Sequence, residues 1–217
     1  MPGPPGGDPP GVTTHPSAGA RDWGGRLPRN ETLDLDDEQR AAAERLRSGS
    51  VRWAEESGFA ATDDDGGLIG PFNAFVLRPG PGKAFNRWVG TDQRDSSLSA
   101  TVREVVILTV GAAWGAAYEL YAHTAVARSV GLAEDAVRAL QDGTAADVLT
   151  GDELVVHRFV DELVRTHRVS EGTYAAAEAA LGRDGVLDTV HLTGMYLSVS
   201  ALLNAFEIPA PEIPPAP

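Results

Sequence analysis

The chain has 217 residues, no cysteine, and 31 acidic against 18 basic side chains, giving a net charge of -13 at pH 7. This length suits one substantial domain with tails, and the charge repels nucleic acid and anionic membranes, so neither is expected as a partner. Without cysteine, disulfides, thiolate metal sites and thiol redox chemistry are excluded within the chain.

Residues 1–31 are rich in Pro and Gly and hold few large apolar side chains, Trp23 and Leu27 excepted. They cannot bury enough surface to offset the entropy of ordering, so a disordered tail is expected. The N-terminus lacks the basic start and apolar core of a signal peptide, and no run of about 18 apolar residues is evident. A soluble cytoplasmic protein with no membrane partner is the expectation, with residues 32–217 forming one domain.

From Leu33 an acidic start leads into helix formers through Arg52, with Leu46, Val51 and Trp53 as the apolar stripe. Residues 63–67 read as a loop, and residues 70–79 as one or two helical turns closed by Pro79. Residues 81–92 read as a short helix with Ala84, Phe85 and Trp88 at helical spacing. Ser97 or Ser99 can cap the next helix, Ala100 to about Gly111, which is apolar nearly all round and therefore buried, with Glu104 as its one carboxylate. Gly115, among small residues, is a natural break. Helical spacing then resumes over 118–130 and stops at Gly131.

Further helices are expected at 134–140, from about 150 with Leu154, Val155, Phe159, Leu163 and Val164 on one stripe, and at 170–181 and 185–206. The last of these carries His191 and Tyr196 before a Pro-rich tail. No stretch alternates with a period of two over several strands, so the fold class is all-α.

The chemistry concentrates around Glu119 and His123. Four residues is one helical turn, so both lie on one face and can share a proton. If the break falls at Gly115, Glu119 sits in the first turn of its helix, where free amides favour its ionised form, and an ionised Glu119 raises the pKa of His123. Glu104, buried on the neighbouring helix, needs a partner, and joining the same network supplies one. A solvated surface pair is the commoner meaning of Glu and His at this spacing, and a structural pairing the commoner meaning of a buried Glu. One histidine with two carboxylates can hold a metal, although catalytic zinc sites commonly have more histidine nearby. His157 and His167 sit among charged residues and are most simply solvated, whereas His191 lies on an apolar helix.

Arg103-Glu104, Trp114, Tyr118-Glu119, His123 and Gly131-Leu132 together resemble the central helical pair of the carboxymuconolactone decarboxylase and alkylhydroperoxidase D superfamily. Gly70-Pro-Phe-Asn and Leu203-Asn-Ala-Phe-Glu-Ile-Pro resemble its larger, decarboxylase-like subgroup. In the alkylhydroperoxidase D branch this segment carries a glutamate, a Cys-x-x-Cys pair and a histidine. Here Glu104 and His123 match the first and last, while Ala116 and Glu119 stand at the cysteine positions, so a thiolate relay is not available. The decarboxylase branch has a glutamate four residues before its histidine, as Glu119 and His123 are.

The resemblance implies helical hairpins assembled as trimers or hexamers, a site near a subunit interface, and chemistry without a cofactor. It implies His123 as acid and base, with Glu119 and Glu104 as partners. Phe72, Asn73, Trp88, Trp114, Tyr118, His191 and Tyr196 are the expected substrate-binding residues, and Arg78, Arg87 or Arg94 is a candidate for a substrate carboxylate. The expected function is a cofactor-independent lyase or isomerase working by proton transfer on a lactone, β-keto acid or polyketide-like molecule, decarboxylation first. A non-catalytic binding or scaffold protein is the alternative, and a metal-dependent hydrolase a third possibility.

Overall fold

The computed structural model describes residues 22–213. Its organising element is α5 (Ala100–Trp114), started by Ser99, whose hydroxyl accepts a hydrogen bond from the Val102 amide at 3.3 Å. Because α5 is apolar on nearly every side it must be surrounded, and α6 (Ala117–Ser129), α7 (Glu134–Asp142), α8 (Gly151–Thr166) and α9 (Glu171–Ala205) all pack on it. Val105, Val106, Leu108 and Val110 from α5 are fully buried with Val156, Val160 and Leu192. Among the described residues there is no strand, and the all-α expectation stands.

A second cluster lies N-terminal to this bundle. Here α1 (Asp37–Leu46), capped by Asp36 and Gln39 in a capping box, runs through a π-helical segment, Arg47–Val51, into α2 (Arg52–Glu56). After the loop at 63–67, α3 (Pro71–Leu77) crosses the core and α4 (Pro79–Asp95) follows at once. The helix α4 is longer than expected, because Pro79 and Pro81 occupy the first turn, where a proline lacks nothing the helix needs. Leu46, Ile69, Phe72, Tyr118 and Tyr121 are buried together, so α6 serves both clusters.

Gly70 shows how tight this junction is. Its φ of 61° lies in the left-handed region, and a Cβ there would stand 2.3 Å from the Tyr118 ring. Only glycine lets α3 start against that ring, whose hydroxyl donates to the Ala60 carbonyl at 2.8 Å.

Three expectations are corrected. Residues 22–31 are not a disordered tail: the Arg26 amide donates to the Phe206 carbonyl at 2.7 Å, and the Asn30 amide to Asn73 Oδ1 at 2.9 Å, so the apolar Trp23 and Leu27 have a core to join. Residues 1–21 of the expected tail lie outside the described residues. Trp88 is 41% exposed and does not belong to the apolar stripe assigned to it, whereas Trp53, 37% exposed, packs edge-on against Phe59.

The third correction concerns α9, which by length and composition alone is apolar enough to cross a membrane, an 18-residue window of it having a mean hydropathy of 1.3. Core packing accounts for that composition, since Val186, Leu192, Met195, Val199 and Leu203 are buried. The helix is also broken at Gly182 (φ 70°, ψ 173°), which corresponds to the expected gap between two helices. Its other side leaves Leu187 and Val190 exposed.

Candidate active site

Gly115 ends α5 with φ 60°, and the turn sends α6 back along α5. On the facing side Gly111 keeps the gap small: a Cβ there would already lie 3.4 Å from Glu119 Cγ. The hairpin thus brings Glu104 of α5 against Glu119 and His123 of α6. His123 Nδ1 is 2.8 Å from Glu104 Oε2, and Nε2 is 3.4 Å from Glu119 Oε1. All three are buried, Glu104 being 6% exposed, Glu119 3% and His123 7%. The Tyr196 ring of α9 meets the imidazole edge to face, with centroids 4.9 Å apart.

A carboxylate only accepts hydrogen bonds, so the short contact holds the ring proton on Nδ1 and turns Nε2 toward Glu119. Burial works against the charged imidazole, but the Glu104 carboxylate opposes it by charge and hydrogen bond, with Glu119 assisting. The net direction is upward from the ordinary 6.5. Burial pushes the Glu119 carboxyl up from 4.5 to about 7, with His123 opposing and Glu104 reinforcing. Burial thus opposes the ionised form that the first-turn position favours, and Oε1 makes no contact closer than its 3.4 Å approach to Nε2. Burial likewise raises the Tyr118 and Tyr196 phenols well above their usual range, so both stay neutral.

These shifts make stability depend on pH. Both groups hold protons in the folded chain that the unfolded chain releases, so their contribution is complete below the unfolded values, 4.5 and 6.5, and is lost as pH rises through the folded ones. Guanidinium midpoints are therefore expected to fall from about pH 5 to about pH 8, and Glu119→Gln should flatten the slope below about pH 7. A Glu119→Gln protein with the wild-type slope would remove Glu119 from the account.

The triad forms one end of a cavity of about 390 Å³. Gly49 and Ser50 of the π-helical segment line it, with Trp53 and Phe59. Phe72 and Phe75 come from α3, Phe85, Asn86, Val89, Gly90 and Gln93 from α4, and Tyr196 and Val199 from α9. Tyr118, Glu119 and His123 complete the wall, while Glu104 stands behind His123. Sequence reasoning named Phe72, Tyr118 and Tyr196 but missed the α4 face. The signal was available: residues 86, 89, 90 and 93 follow a helical period distinct from the one drawn through Trp88.

Four expected substrate-binding residues are not on this cavity. Asn73 is buried, but its amide is spent on Pro28 and Asn30 in holding the N-terminal segment. Trp88 is 41% exposed on the outer side of α4, and Trp114, also 41% exposed, ends α5. His191 is exposed because the five-residue step from it to Tyr196 turns it about 140° around α9. The three arginines fail too: Arg78 borders a neighbouring groove, Arg87 is exposed, and Arg94 pairs with Asp95 at 2.8 Å. A pair not foreseen, Arg103 with Asp92 at 2.6 Å, ties α4 to α5 beside Glu104 and is largely buried. Among the described residues no group of three His, Asp or Glu side chains is arranged to hold a metal ion.

Residues 79–162 match the model of the carboxymuconolactone decarboxylase family. No curated protein matches the sequence. Among solved structures the chain is similar to an alkylhydroperoxidase AhpD core, an uncharacterized peroxidase-related protein from Ralstonia eutropha JMP134. That match has a TM-score of 0.68 at 17% identity and covers 86% of this chain and 92% of the other. A peroxidase-related protein from Silicibacter sp. TM1040 gives 0.68 at 17%, covering 91% and 94%. A variant of the debrominase Bmp8, in complex with 2,3,4-tribromopyrrole, gives 0.63 at 12%, covering 79% and 88%. At these identities the likeness is one of fold.

Proposed function

We propose that this chain, whose residues 79–162 belong to the carboxymuconolactone decarboxylase family within an alkylhydroperoxidase D-like fold, is a lyase or isomerase that moves protons on a small carbonyl compound. The observation that carries this reading is His123 held between Glu104 and Glu119 at the end of an aromatic cavity. A debrominase of the same fold, solved with 2,3,4-tribromopyrrole, supports a small-molecule occupant.

Isomerisation, dehydration and decarboxylation beside a carbonyl all collect negative charge on the substrate oxygen. In the proposed site the Glu119 carboxyl donates to that oxygen, and His123 Nε2 takes or returns the proton at carbon. The Glu104 carboxylate fixes the ring and steadies its charged form, as the buried acid of a catalytic triad does. With the Glu119 carboxyl raised by burial to about 7 and the His123 imidazole raised by the Glu104 carboxylate, the site offers an acid and a base side by side.

The test is solvent exchange. Ketones and lactones with an acidic α C–H, incubated with the protein in D2O, should gain deuterium faster than in buffer and should lose that gain with His123→Ala. A wild-type protein that binds such compounds without any exchange would reduce the site to a binding pocket.

A further inference from the structure

Among the described residues, no lysine or arginine lines the cavity. The nearest guanidinium acting on His123, that of Arg103, is engaged with Asp92 behind the wall. The ionisable groups that do face the space are Glu119 and His123, with Glu104 behind and the Tyr118 and Tyr196 phenols neutral. A carboxylate entering here finds the imidazole already balanced by Glu104 and stands beside a second acid. It would be buried without a counter-charge, the costly case for any ion. The net charge of -13 opposes its approach as well.

The same wall suits a neutral ring. Trp53, Phe59, Phe72, Phe85 and Tyr196 supply aromatic surface, and Glu119 and His123, with Oε1 3.4 Å from Nε2, make the polar end of the cavity. We infer that the substrate is an uncharged aromatic ketone, its oxygen lodged at that polar end beside Glu119 and its body against the aromatic wall, and that carboxylic acids are excluded.

This rests on the proton-transfer reading and narrows it. A decarboxylase must admit a carboxylate, so the reaction becomes an isomerisation. His123 Nε2 takes a proton from the α carbon, the C–H electron pair forms a carbon–carbon double bond, and the carbonyl oxygen takes the Glu119 proton. Return of a proton from His123 at a different carbon, and of the enol proton to Glu119, gives the isomer with no atom gained or lost.

The test uses two probes of one shape, 2-acetylnaphthalene and 2-naphthoate, measured by equilibrium dialysis at neutral pH. The ketone is expected to bind at least about tenfold more tightly, the scale of one unpaired buried polar group. Gly90 offers a second arm, since it lines the cavity and a Cβ there meets nothing within 4 Å. Gly90→Arg supplies the missing cation and should raise naphthoate affinity about tenfold, whereas Gly90→Phe should block the ketone. Equal binding of both probes to the wild type, or no binding of either, overturns the inference. Because dialysis reads no turnover, such a result would leave the His123 chemistry standing. Conversely, a charge-selective cavity in a protein whose His123→Ala variant exchanges at the wild-type rate would sink that chemistry alone.

Discussion

Replacing His123 by alanine is expected to slow deuterium exchange by about 10²- to 10⁴-fold, the usual worth of a positioned acid–base group. The variant leaves Glu104 buried without its partner, so a folding defect has to be separated from a chemical one. His123→Gln does this, because an amide can donate to Glu104 yet cannot titrate at neutral pH. Both variants should lose exchange to a similar extent, and added imidazole should restore part of it in the alanine variant, where the emptied position adjoins the cavity. Retention of the wild-type rate in the folded glutamine variant would rule out His123 as the base.

The second large effect falls on stability. Glu104→Ala removes one partner of a buried pair whose members approach to 2.8 Å, and a loss of about 3–5 kcal/mol is expected from guanidinium unfolding. The loss has two parts: an imidazole with nothing at Nδ1, and a cavity between α5 and α6. Glu104→Gln keeps the shape and an acceptor oxygen, so it should cost much less while lowering the His123 pKa, because the charge that raises it is gone. If Glu104→Ala unfolds at the wild-type midpoint, the pair is not holding the hairpin together.

Much of this was legible before any coordinates. The buried α5, its cap at Ser99, the break at Gly115 and the meeting of Glu104 with Glu119 and His123 all follow from apolar periodicity, one left-handed glycine and the one-turn spacing. What escaped was whatever depended on the direction of a side chain within a correctly identified helix. Trp88 and His191 sit on the expected helices but face outward: the period drawn through Trp88 is not the one that faces the cavity, and α9 carries apolar residues on more than one side, so pattern alone does not orient His191. His157, expected in solvent, instead shares a hydrogen bond with Thr109 at 2.9 Å. Its helix α8 packs on α5, and no local signal says which polar residue faces that contact.

Long-range polar contacts were the other blind spot. Asn73 is expected at the ligand site through the resemblance carried by Gly70-Pro-Phe-Asn, yet its amide ties residues 28 and 30 to the core. The same contacts explain why residues 22–31 of the Pro- and Gly-rich stretch are ordered, which their composition alone does not predict. Glu119 has an upward pKa shift that also lay beyond the sequence. Its helix position argues for charge and its burial against it, and burial is a property of the packed cavity.

The central claim is that Glu104 fixes His123 with Nε2 free to exchange protons beside Glu119, and ¹⁵N NMR titration of the His123 ring tests it most directly. The account predicts a ring that keeps its proton on Nδ1 throughout, with Nε2 titrating above the ordinary 6.5 and shifting down in Glu104→Gln. A neutral ring protonated on Nε2, or a titration at or below 6.5 in the wild type, would contradict it.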